Sequence, residues 1–333
     1  MKIDMHGHFV PSSAVRAAKT GEDWHGLTLT RNEIGALMGH RNGVDFDLPD
    51  WTATIETVPN RLAQMDTMKL DQQVLSIAPR FHRYGDERVS SIAVAKDMND
   101  DLADMIAEAP TRLRGLIHLP LQDPSAAIAE LERMAAKPGI IGAAVGSNVE
   151  GAAWDAPELF PVLQAVQDLN FFMFIHPANR PFDKRTKRFH LNNLIGNPLE
   201  TTFAIAALIF GGVLDRLPDI KLGFAHAGGF AAFSAGRFDA GYMARPDVRV
   251  TAAALPSEYL SRLYYDSITF SERALRYLID VVGISQIMLG SDYPADMGTM
   301  DPVGFIEGCS SLSESEKAAI LGGNLERMFG PIG

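Results

Sequence analysis

An α/β chain folded as a single (β/α)8 barrel is what this sequence predicts, and three observations carry that prediction. Eight short apolar runs alternate with segments of helical period. The runs are apolar throughout and not only at every second residue, as in a parallel sheet buried on both faces. Eight such units in 333 residues match the size of a closed barrel. No repeat of about 20–50 residues and no low-complexity linker divides the chain, so residues 1–333 read as one domain.

The first strand occupies the opening residues, where Ile3 and Met5 alternate with Asp4 and His6. A long insertion of roughly 9–58 follows it, rich in Gly, Asp, Asn and Pro and without a sustained period. Segments of this kind often serve as lids or binding loops. Residues 60–69 have a helical pattern and 73–78 form the second strand. Residues 90–109 are helical and 113–119 form the third strand. Asp123 stands as the N-cap of a helix over 124–136. The fourth strand, 140–145, leads through a helix at 157–169 to the fifth, 171–176. A second long insertion, about 178–197, precedes a helix at 199–210. The last strands are 220–226, 263–266 and 286–292, with 271–282 helical before the eighth.

Composition excludes several function classes. Thirty basic against 41 acidic residues give a net charge of −11, without the basic face that nucleic acid or an anionic membrane surface requires. No apolar run reaches about 18 residues, so no membrane span is expected. Met1 leads into a strand with no basic and apolar leader, which places the expected location in the cytoplasm. Cys309 is the single cysteine, so neither an intrachain disulfide nor a thiolate metal cluster can form. Without an obvious partner in its Gly-Cys-Ser-Ser context, it reads as inert.

The barrel turns scattered residues into a constellation. Strand C-termini open onto one mouth, where barrel catalysis is sited. His6 and His8, two apart and therefore on one face, end the first strand. His176 ends the fifth, His226 the sixth and Asp292 the eighth. Converging imidazoles and a carboxylate suit a divalent ion or proton transfer. His25, His40, His82 and His118 read instead as ordinary core or loop residues.

These residues lie in stretches that resemble the amidohydrolase superfamily, within it the decarboxylase group of 2-amino-3-carboxymuconate-6-semialdehyde decarboxylase. The stretches are Met1 to His8, Phe174-Ile175-His176-Pro177, Gly211-Gly212-Val213, Phe224 to Gly229, Met243 to Asp247 and Gly290 to Pro294. The resemblance implies that His6, His8, His176 and Asp292 ligate one metal and that His226 stands beside it as general acid/base. It also implies a homodimer in which Arg245 reaches the neighbouring active site. The match is weaker around the substrate. Asp47 stands near the place of a carboxylate-binding arginine, where it would repel a carboxylate. His190 replaces a tryptophan and Ala295 an aromatic residue. Arg180, Arg185 and Arg188 could supply a substitute cation, with Arg180 the substrate-binding candidate.

The expected activity is non-oxidative, metal-dependent decarboxylation of a small carboxylated aromatic or muconate-semialdehyde-like acid. His226 and Asp292 would be catalytic. The expected ion is Zn²⁺, with Mn²⁺ the competitor because carboxylate ligands suit harder ions. The alternative is a hydrolase or hydratase of a lactone, amide or oxo acid, using water acidified by the same ion. A silent scaffold would predict a damaged ligand set, and all five residues are present.

Overall fold

A computed structural model of the chain describes residues 1–31, 33, 37–41, 43–47, 57–177 and 184–330. Strand β1 (Ile3–Phe9) opens the barrel. After the helix Ser12–Thr20, strands β2 (Leu27–Arg31), β3 (Leu37–Arg41) and β4 (Val44–Asp47) form a separate antiparallel sheet. The barrel resumes with β5 (Gln72–Ile77), β6 (Leu113–Ile117), β7 (Ile140–Gly146) and β8 (Phe172–His176). Strands β9 (Lys221–Phe224), β10 (Tyr264–Asp266) and β11 (Ile287–Met288) complete it. All eight are parallel, in the order β1-β5-β6-β7-β8-β9-β10-β11. The ring closes where Met5 N donates to Leu289 O, Asp292 N to His6 O and His8 N to Tyr293 O, each at 2.8 Å.

Both faces of the strands are buried, for different reasons. On β8, Phe172 and Phe174 point into the barrel, where Ile3, Met5, Leu116 and Met288 meet them. Met173 and Ile175 point outward against the surrounding helices. Continuous apolar strands are the consequence. The same alternation carries past Phe174 to His176, so a strand filled with phenyl rings below presents an imidazole at the mouth.

Expectation and structure agree closely on the barrel. Asp123 caps the helix Pro124–Ala135, its side chain accepting from Ala126 N at 3.2 Å. The largest difference lies in residues 9–58, expected without a sustained period. Leu27 and Leu29, alternating with Thr28 and Thr30, are buried under the small sheet. Each strand there has four or five residues, too short for a long-window period to register. The helix expected at 199–210 starts earlier, at Asn197, and follows a π turn over Asn192–Gly196. The run Asn192–Phe210 is long and apolar enough to cross a membrane by length and composition, and half of it is packed inside the protein.

Candidate metal centre

Backbone geometry at the ends of β1 and β11 places the first three side chains. Asp4, fully buried, receives His6 N and Ser291 N on Oδ1, each at 3.0 Å. Its Oδ2 receives Gln73 Nε2 at 2.7 Å and Ser291 Oγ at 2.6 Å. Arg61 reaches in from the helix Val58–Thr67, donating to Gln73 Oε1 at 3.0 Å and to the His8 carbonyl. The guanidinium also lies 5.2 Å from the Tyr293 ring centre. A buried cation and a buried carboxylate thus share Gln73 and hold the strands carrying His6, His8 and Asp292. Gly7 is required between the histidines, because a Cβ there would stand 2.7 Å from the Gln73 side chain. Two carriers sit in backbone conformations unusual for side-chain-bearing residues, with φ +53° at His226 and +55° at Asp292.

The donor atoms of His6, His176, His226 and Asp292 lie within 4.8 Å of one another. His8 Nε2 is 2.9 Å from Asp292 Oδ1 and 3.2 Å from His6 Nε2, and His6 Nε2 is 3.2 Å from Asp292 Oδ1. Four of the five residues singled out from the sequence therefore share one cluster, and His8 adjoins it through Asp292 and His6. Proton placement decides what that cluster can hold. His6 Nδ1 faces Asp266 Oδ2 at 2.7 Å and donates to it. His176 Nδ1 donates to the Pro177 carbonyl at 3.1 Å. His176 thus aims an Nε2 lone pair at the cluster, buried with no hydrogen-bond partner among the described residues, and His6 aims an Nε2 that becomes a lone pair once its proton is displaced. Lone pairs and a carboxylate facing each other near 3 Å repel unless a cation stands among them. Atoms bound to one divalent ion at about 2.0–2.2 Å are separated by roughly 3–3.5 Å, so the residues fit such an ion.

The protonation balance carries the same demand for positive charge. Burial alone would lower the His6 imidazole, but the Asp292 and Asp266 carboxylates outweigh it and raise its pKa from 6.5 to about 10. Burial also dominates at His8 and His176 and depresses both, His176 strongly. Against burial, the charge on His6 and hydrogen bonds from His226, His6 and His8 hold Asp292 well below the usual carboxylate range.

Asp266 is the site residue that sequence reasoning missed. Fully buried at the end of β10, it receives His226 N on Oδ2 at 2.7 Å and Ala227 N on Oδ1 at 2.8 Å, besides orienting His6. The signal was present: a carboxylate ending a barrel strand, as with Asp292. Arg61 and Gln73 carried no such signal, since their roles depend on helix-to-strand packing.

Other candidates fall elsewhere. His82 and His118 stack on each other at 5.2 Å near Tyr84, outside the group of four, and burial lowers both. His25 pairs with Asp97 at 2.6 Å and His40 with Asp45 at 2.7 Å. Arg245 follows the helix Ala231–Ala244, exposed and paired with Asp247 at 2.8 Å, so its own chain does not bring it to the cluster. Arg180 lies outside the described residues, as does the side chain of Asp47. Arg188 is exposed and stacked on Phe189, and His190 is exposed. Cys309 is buried, its Sγ donating to the Phe305 carbonyl.

A cavity of about 190 Å³ opens beside His226 and Asp292. Its other walls are Leu194, Pro198, Ile268, Phe270 and Met297, with Asn193 and Asn197 as the polar exceptions. At about 30 Å³ per water, this is room for one small ring.

Comparison with known proteins agrees with this geometry. Residues 3–330 match the amidohydrolase family. The chain is 36% identical to a 2-amino-3-carboxymuconate-6-semialdehyde decarboxylase of Dictyostelium discoideum, over 99% of this chain and 92% of the relative. Among solved structures, a 5-carboxyvanillate decarboxylase from Sphingomonas paucimobilis superposes with a TM-score of 0.82 at 26% identity, covering 98% of each chain. A 5-carboxyvanillate decarboxylase from Novosphingobium aromaticivorans, complexed with manganese and 4-hydroxy-3-methoxy-5-nitrobenzoic acid, gives a TM-score of 0.82 at 20% identity. It covers 99% of this chain and 96% of its own.

Proposed function

This chain belongs to the amidohydrolase family, and we propose that it is a metal-dependent, non-oxidative decarboxylase of a small aromatic or muconate-semialdehyde-like acid. The observation that carries the reading is the buried, partnerless Nε2 of His176 facing His6 and Asp292. His6, His8, His176 and Asp292 are the ligands in this proposal, within a single domain spanning 1–333. The ion would be Zn²⁺, which three imidazoles favour, with Mn²⁺ the competitor. Cytoplasmic location belongs to the same reading, because the lone buried Cys309 leaves no disulfide that needs an oxidising compartment.

When bound, the ion supplies a Lewis acid that polarises and anchors the substrate's oxygens. The remaining work falls to side chains of this chain. His226 borders the cavity with Nε2 at 3.3 Å from Asp292 Oδ2, and Asp266 fixes its backbone. In this proposal it gives a proton to the carbon that bears the carboxylate. A π bond at that carbon supplies the electrons for the new C–H bond; the bond to the carboxylate carbon then breaks, its electron pair restores the π bond, and CO2 leaves. No oxidant is consumed, and His226 recovers its proton from solvent. Ile268, Phe270 and Met297 give that step an apolar surround.

Product analysis tests this. Metal-loaded protein should release one CO2 per turnover from a carboxylated phenol or muconate semialdehyde. Turnover of lactones or oxo acids with water consumed and no CO2 would replace the reading with hydrolysis or hydration.

The proposed assembly is a homodimer. Phe233 is 83% exposed beside Tyr277, with Phe203 and Phe230 also exposed on the adjoining helices. Such a patch suits a second copy of the chain, and it shares the helix Ala231–Ala244 with the approach to Arg245. Phe233→Glu is expected to sediment as a monomer. Arg245→Ala should weaken KM for an acidic substrate by about 1.5–3 kcal/mol, the worth of a charge-assisted contact. Mixing those chains with His226→Asn chains should restore activity in the one site that keeps both residues. Mixed dimers without rescue would remove Arg245 from the partner's site.

A further inference from the structure

An unspent hydrogen-bonding group stands in the wall of the cavity beside His226. Asn197 begins the helix Asn197–Phe210 and lines the cavity, only 7% exposed. Its backbone carbonyl is engaged, receiving Thr201 Oγ1 at 3.1 Å. Its side-chain Oδ1 is buried and accepts no hydrogen bond among the described residues. Apart from His226, Asp292 and Asn193, the rest of the cavity wall is apolar, formed by Leu194, Pro198, Ile268, Phe270 and Met297. Asn193, the other amide there, is half-buried and remains within reach of water.

Keeping an amide oxygen out of water without a partner is costly, and packing does not require it, since leucine has nearly the same shape and volume. A few placed polar atoms in an apolar pocket are how small-molecule sites select their ligands. A site built to pair with a substrate hydroxyl also discriminates strongly against the analogue that lacks one. We propose that Asn197 is a specificity-determining residue, its amide pairing with a hydroxyl on a small, single-ring acid. The inference rests on the decarboxylase reading for the acid. The hydroxyl follows from Asn197 itself, because a hydroxyl pairs with either end of an amide.

The test compares benzoates carrying a second hydroxyl at each ring position with 2-hydroxybenzoate. Binding is followed by titration calorimetry and turnover by CO2 release, in metal-loaded wild type and Asn197→Leu. One dihydroxybenzoate should lose about tenfold in affinity in the variant, while 2-hydroxybenzoate stays within about twofold and metal content is unchanged. Asn197→Ser, smaller and still polar, serves if the leucine variant fails to fold, and should show the same split at smaller size. Equal losses for all acids, no loss for any, or no binding by any member would overturn the proposal. A split in binding with no CO2 from any acid would sustain Asn197 and remove the decarboxylase reading. Turnover without a split would remove Asn197 alone.

Discussion

His176→Ala is expected to empty the barrel mouth of its ion while leaving the chain folded. The two properties separate because, among the described residues, His176 Nε2 has no partner to lose and its Nδ1 bonds the adjacent Pro177 carbonyl. The backbone of β8, paired with β7 and β9, is untouched. Elemental analysis after dialysis should fall from about one divalent ion per chain to a small fraction of that. Metal retained at the wild-type level would remove His176 from the ligand set. Absence of metal from wild type even after reconstitution would end the metal reading altogether.

Loading should also release protons, and the sign follows from His6. Its pKa in the metal-free chain lies near 10, so His6 carries a proton through neutral pH that the ion must displace. Apparent affinity should therefore rise about tenfold per pH unit across the neutral range, levelling near pH 10. Calorimetry in buffers of different ionisation enthalpy reads the proton directly. Affinity independent of pH between 6 and 8 would place the ion away from His6.

His226→Asn is expected to keep the ion and lose turnover by roughly 10² to 10⁴, the usual contribution of a general acid–base group. The distinction matters because His226 falls within the 4.8 Å group with His6, His176 and Asp292, while His8, a proposed ligand, lies outside that group. Its position favours the proton-transfer role. The side chain is 16% exposed where His6 is sealed, it borders the cavity, and its backbone is pinned by Asp266 independently of its ring. Metal loss matching His176→Ala would make it a ligand instead.

Much of this was legible before any coordinates. His6, His8, His176, His226 and Asp292 could be named because parallel strands in a barrel end at one mouth, which converts a one-dimensional pattern into a cluster. Asp266 obeys the same rule and was overlooked, although it ends the run 263–266 that reads as a strand. The small sheet of β2–β4 escaped because its strands have only four or five residues each.

Sequence by itself determined the barrel and the chemical identity of the cluster. Both follow from periodicity and residue type, which are local properties. Tertiary structure decided the rest: which nitrogen of His6 and His176 faces the centre, how Arg61 and Asp4 share Gln73, and that Asn197, a lining residue of the cavity, keeps a buried, unpaired oxygen. Each depends on a contact between residues distant along the chain or on solvent exclusion by several elements at once. Tautomers and unmet hydrogen bonds have no sequence signature, because they are set by what finally surrounds the side chain.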